Sequence, residues 1–195
     1  MKKAILLVGL VIQMTMTSCI KNLFKEKEES LPAVTQIGAN TLGCKINGKV
    51  WVPNGTHDLF VSIHALSAYT YQSQGIKYFS ISARRDPSLF NKEEDSYDDM
   101  SLDVTLPPST GEIIINKDCN SCGLYCPYNS LRFKIKGLFQ GGCYMTSSIH
   151  TGKVRFTRID TTNKIVSGTF EFSAIDKSSG KTITVTDGRF DVNTR

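Results

Sequence analysis

Val166-Ser167-Gly168-Thr169-Phe170-Glu171-Phe172-Ser173-Ala174 alternates apolar and polar side chains. A strand through it puts Phe170 and Phe172 on one face and Thr169, Glu171 and Ser173 on the other, because successive side chains in a strand point to opposite faces. Downstream, Lys177-Ser178-Ser179-Gly180 predicts a turn into Ile183 and Val185, and Asp187-Gly188 a second turn into Phe190 and Val192. Upstream, Val154 and Phe156 alternate with Lys153, Arg155 and Thr157, and Asp160-Thr161-Thr162-Asn163 supplies another turn. The result is an antiparallel meander with one dry and one wet face.

The texture extends back to Thr41. Asn47-Gly48 within Cys44–Trp51 predicts a hairpin, since this pair readily takes the positive φ angles of a type I′ turn. Leu59, Val61, Ile63 and Ala65 alternate; after Gln72-Ser73-Gln74-Gly75, so do Phe79, Ile81 and Ala83. Leu102, Val104 and Leu106 make a strand stopped by Pro107-Pro108, followed by Ile113-Ile114-Ile115 and by Leu131, Phe133 and Ile135. No stretch past the N-terminus has an apolar stripe at helical spacing. The fold class is therefore all-β, an antiparallel β-sandwich or small β-barrel of about nine strands. The chain's 195 residues suit one such domain. A net charge of +5, from 23 basic and 18 acidic side chains, is too small and too dispersed for a nucleic-acid binder.

The first residues read as an address. Lys2-Lys3 precede an apolar run from Ala4 to Ile12. Nine helical residues rise about 14 Å, well short of a ~30 Å hydrocarbon core, so this is a signal peptide and not a span. Met16-Thr17-Ser18-Cys19 resembles the lipobox of bacterial lipoproteins, with Met where Leu is usual. The resemblance implies cleavage after Ser18 and lipidation of Cys19, with a palmitate-type acyl chain on the new amino group, and two or more acyl chains give a stable anchor. Ile20, in place of the Asp that retains some lipoproteins at the inner membrane, points to the outer membrane. Three regions follow: signal peptide 1–18, lipidated N-terminus and flexible tether 19–41, and a single β domain 42–195.

Gly43-Cys44-Lys45-Ile46-Asn47-Gly48-Lys49-Val50-Trp51-Val52-Pro53, with Val166–Phe172 and Thr186–Val192, resembles uncharacterised single-domain lipoproteins of Gram-negative bacteria, a domain of unknown function. The likeness implies the anchor and the β fold. It implies no catalytic residue.

Cys119-x₂-Cys122-x₃-Cys126-Pro127, with Cys143 and Cys44 elsewhere, is the densest cluster of reactive side chains. In an exported protein these five are disulfide candidates. A zinc site of Cys119, Cys122, Cys126 and Cys143 is the metal alternative, and a redox role for Cys119 and Cys122 is a weaker one. Asp86 to Asp99 carries six carboxylates, an oxygen-rich loop of the kind that binds Ca²⁺ but without the EF-hand pattern. His57, His64 and His150 are scattered, and no nucleophile motif accompanies them. Arg132, Lys134 and Lys136 line one strand face, with Lys153 and Arg155 expected alongside. Tyr69, Tyr71, Tyr78, Trp51, Tyr125, Tyr128 and Tyr144 are side chains of the sugar-stacking type, but most sit in strands where packing needs them. The resulting expectation is a non-enzymatic binding or structural accessory domain without cofactors, held to the membrane and meeting a glycan or an envelope protein. A lipocalin-like carrier of a small apolar ligand is the alternative.

Overall fold

The computed structural model describes residues 29–57, 62–86, 97–119, 129–136 and 141–195. Among the described residues there are thirteen strands and no helix. They are β1 (Thr41–Ile46), β2 (Lys49–Trp51), β3 (Thr56–His57), β4 (Ser62–Ile63), β5 (Leu66–Ser73), β6 (Ile76–Arg85), β7 (Tyr97–Thr105), β8 (Gly111–Ile115), β9 (Ser130–Lys136), β10 (Gly142–Met145), β11 (Gly152–Asp160), β12 (Ile165–Asp176) and β13 (Thr182–Asn193).

Two hairpins form for the reason their turn residues dictate. Asn47 and Gly48 take φ of 48° and 81°, closing β1 on β2 with Ile46 opposite Lys49. Gln74 and Gly75 take 51° and 79°, closing β5 on β6 with Ser73 opposite Ile76. Both are two-residue loops with left-handed residues, whose twist matches that of the flanking strands. Two expectations shift. The strand expected through Leu59 and Val61 lies partly outside the described residues. Among the described residues Ser62–Ile63 pairs only with β3, and the long strand starts at Leu66, with Ala68 in the core. Asp187-Gly188 does not reverse the chain either. Asp187 has a φ of 54°, and the pairing of β12 with β13 skips between Phe170 and Phe172. Thr186 and Asp187, opposite Glu171, form a β-bulge inside one twelve-residue strand.

The sheet runs β2-β1-β13-β12-β10-β9-β7-β6-β5, antiparallel throughout. β12 is its branch point. Ile165 to Phe172 pair with β11, which in turn pairs with β8, whereas Ile175 and Asp176 pair with β10. One long strand therefore serves two neighbours on the same edge, and the sheet curls into a half-barrel, between the two closures expected. Phe79 of β6 stacks on Phe190 of β13 at 5.5 Å and meets Phe156 of β11 edge-on at 5.7 Å. Phe170 continues the stack on Phe190. Leu42, Ile81, Met100, Leu102, Val104, Leu131, Phe133, Val154 and Val185 belong to the same core.

Glycine sets the depth of this packing. Gly168 faces Phe156 on one side and Phe190 on the other, and Gly188 faces Phe170. A β-carbon on Gly168 would lie 2.4 Å from the Arg155 carbonyl oxygen and 2.7 Å from the Phe190 ring; one on Gly188 would lie 2.4 Å from the Phe170 carbonyl oxygen. The rings lie over the glycines, a cross-strand arrangement that fills the space left by the missing side chain. Gly168→Ala is expected to destabilise the domain by about 1–3 kcal/mol or more, the range for overpacking a filled core. Denaturant unfolding measures it, and an exposed control such as Thr162→Ala should stay within about 0.5 kcal/mol.

Candidate functional site

Asp191 alternates with Phe190 and Val192, so the sequence places it on the wet face of β13. It is nevertheless only 1% exposed. Its carboxylate accepts five hydrogen bonds: from Thr35 Oγ1 (2.6 Å), from the backbone N–H groups of Ile37 (3.0 Å), Gly38 (2.9 Å) and Ala39 (3.1 Å), and from Ser167 Oγ (2.7 Å). Three successive N–H groups converge because Gly38 sits at a φ of 76°, making a concave backbone nest for an anion. Burial pushes this carboxyl up, but the donors outweigh it and hold the group well below the usual carboxylate range.

Residues 29–40, expected as part of a tether, are thereby seated on the domain. Glu29 pairs with Arg85 at 3.0 Å. The Pro32 carbonyl accepts from Arg189, the Gln36 carbonyl from Arg158 and the Gly38 carbonyl from Asn193. Asn40 Oδ1 accepts the Asn193 N–H at 2.9 Å. The sequence signal for this docking is slight: a Gly and an Asn able to take positive φ, in a segment otherwise without pattern.

The cysteines part company. Cys44 lies on the inner face of β1 with no exposure, and burial pushes its thiol up to about 12. It is a free thiol, which removes it from the disulfide candidates: strand pairing turned it into the core. Cys119 is buried and Cys143 half-buried, and neither is free. Cys122 and Cys126 lie outside the described residues. Among the described residues no group of three or more His, Cys, Asp or Glu is placed to hold a metal ion.

Other expected clusters are divided by the topology. β9, with Arg132 and Lys134, lies between β7 and β10, whereas Lys153 and Arg155 sit on β11 between β8 and β12. The basic stripe is thus split, and Lys153 is paired with Glu171 at 3.2 Å and Glu112 at 3.9 Å. From the acidic segment, Asp99 holds Arg84 through two contacts of 2.6 and 2.9 Å. Asp98 accepts the Trp51 indole N–H at 3.2 Å, and its burial pushes the carboxyl up. The Asp86 N–H donates to Asn54 Oδ1 and the Asp86 carbonyl accepts from Asn54 Nδ2; residues 87–96 lie outside the description. His64 is exposed and His150 is half-buried in the turn before β11, while the His57 side chain and Asp58 are not described.

The interior expected of a lipocalin-like carrier is filled by the Phe79, Phe156 and Phe190 rings. Ligand-sized space appears instead at one mouth of the half-barrel, where a cavity of about 330 Å³ opens over Leu106, Ile159 and Val166 and is edged by Lys77, Lys164 and Arg195. Beside it, Tyr71 stacks on Tyr78 at 5.1 Å and leans on Tyr69 at 6.0 Å, with Tyr69 and Tyr71 both exposed.

Residues 127–192 match the family model of a domain of unknown function, DUF6252. The matched stretch runs from Pro127 through β9 to β12 and into β13, and so includes the Val166–Phe172 and Thr186–Val192 blocks but not Gly43–Pro53. No curated protein and no solved structure matches the chain.

Asp191→Ala is expected to cost about 3 kcal/mol or more, because it leaves buried donors without an acceptor. The pH dependence follows from the sign of the shift. The folded-state pKa lies below the unfolded value of 3.8, so this stabilisation is complete above about pH 5 and is lost as the pH falls through 4 and below. Chemical denaturation of the native chain from pH 7 to 3 should show that loss, and Asp191→Asn should flatten it.

Proposed function

We propose that this chain is a lipid-anchored protein of the bacterial outer membrane whose β domain is a non-enzymatic binding or structural accessory. The carrying observation is the N-terminal sequence: Lys2-Lys3, the apolar Ala4–Ile12 and Met16-Thr17-Ser18-Cys19 in the order that export and lipidation require. The seated segment from Glu29 supports the same reading. Ten residue steps separate Cys19 from Glu29, at most about 35 Å of extended chain, so a lipidated Cys19 would hold the domain close to the bilayer. The family match supports a domain of this uncharacterised kind. Two or three acyl chains, at about 0.8 kcal/mol per buried CH₂, make such an anchor stable where one chain would be marginal.

We also infer that the cysteine loop is stapled. With Cys19 acylated and Cys44 free in the core, four cysteines remain, and two disulfides among Cys119, Cys122, Cys126 and Cys143 use them all. The odd count of five is thereby resolved without an intermolecular bridge.

Expression of the full chain with Cys19→Ala should move it from the membrane pellet to the soluble fraction, and the wild-type intact mass should carry the acyl groups. A wild-type chain that is cleaved, soluble and unacylated would refute the anchor. Thiol alkylation gives an independent test. Unreduced native protein should label slowly, because Cys44 is buried and its thiol is pushed up to about 12; denatured unreduced protein should label at one cysteine, and reduced protein at five.

A further inference from the structure

We propose that the mouth of the half-barrel bounded by β5, β6, β11 and β12 is a binding site for a small organic anion with an apolar body, a carboxylate or phosphate carried on a ring or short chain. This deepens the binding reading of the domain and stands whether or not Cys19 is acylated. The floor is apolar and continuous with the core: Val166 is 2% exposed and Leu106 8%, and Ile159 packs on the core from the side. The cavity of about 330 Å³ falls at the small end of ordinary ligand pockets. It is large enough for a small ring system and its charged group.

The rim supplies the charge. Lys77, Lys164 and Arg195 are exposed at the cavity edge, and none forms an ion pair among the described residues. The carboxylate lining the same space, Asp160, is already used. It accepts the Arg158 guanidinium at 2.6 Å and the Thr162 and Asn163 N–H groups, which close its own turn. These bonds hold it ionised, well below the usual carboxylate range, yet pair it away from the two lysines. The mouth thus presents cations over an apolar floor, and the ligand that satisfies both is an amphipathic anion.

The site is also preformed. Each cationic residue is pinned by its backbone to a neighbouring segment: the Lys77 carbonyl accepts the Leu106 N–H at 2.8 Å, the Lys164 carbonyl accepts the Thr194 N–H at 2.8 Å, and the Arg195 N–H donates to the Ala68 carbonyl at 3.1 Å. Lys164 sits at a φ of 56°, which fixes its direction at the start of β12. Segments distant in sequence are therefore brought together by sheet curvature. Preorganisation of this kind lowers the ordering cost of binding.

The test uses the full chain in lipid nanodiscs, with 2-naphthyl phosphate as the fluorescent probe and neutral 2-naphthol, inorganic phosphate and empty nanodiscs as controls. Naphthyl phosphate should bind to the protein with a Kd on the order of 100 µM, at least about tenfold tighter than naphthol or phosphate alone, and weaken as salt rises. Lys77→Ala/Lys164→Ala, both exposed positions, should weaken it about tenfold while thermal unfolding stays unchanged. Equal binding by the double variant, by naphthol or by empty discs would overturn the proposal. A second arm asks where the anion resides. Cys19→Ala chain is mixed with vesicles containing anionic phospholipid: flotation that needs the two lysines identifies a lipid headgroup, and naphthyl phosphate binding without flotation identifies a free anion. Failure of both arms refutes the site but leaves the anchor reading untouched, since acylation of Cys19 is measured separately.

Discussion

A carboxylate taken out of water must be compensated, and Asp191 is compensated by hydrogen-bond donors, with no ion pair among the described residues. That constraint organises much of the molecule. The donors come from residues 35–39 on one side and from Ser167 of β12 on the other, so a single buried charge ties the N-terminal segment to the two longest strands. An isolated buried charge costs several kcal/mol. Five charge-assisted bonds offset that cost only while the segment stays seated. The domain therefore begins some twelve residues before its first strand, and the chain reaches it along the outer face of β13.

The same two strands carry the core. β12 and β13 present Phe170, Phe172 and Phe190 inward, and the glycines opposite let those rings lie flat against the neighbouring backbone. The bulge at Asp187 adds local twist where β13 runs beside β12. Branching at β12 lets one sheet curl enough for β6 to face β13 across a single layer of aromatic rings. The interior is filled by that layer, and the curved edge leaves an opening with an apolar floor and a cationic rim.

The strands from Val154 to Val192 were legible because each alternates cleanly, and alternation reports burial of one face. The Asn47-Gly48 turn was legible because few residue pairs accept two left-handed conformations in succession. Asp187-Gly188 misled for a related reason: a positive φ permits either a reversal or a bulge, and only the partner strand decides which. The surroundings of Asp191 and Cys44 are set by segments that their neighbours in sequence do not report. A polar residue on the nominal wet face is buried when another segment covers that face. A cysteine stays single when strand pairing turns it into the core.

Local sequence determined the all-β class and the Asn47-Gly48 and Gln74-Gly75 turns, because these depend on side chains close together along the chain. Tertiary structure alone decided the half-barrel closure, the seating of residues 29–40 on Asp191 and the meeting of Lys77, Lys164 and Arg195 at one mouth. Each of these depends on pairings between segments tens to more than a hundred residues apart, and alternation along a strand records that a face is dry without recording what makes it so.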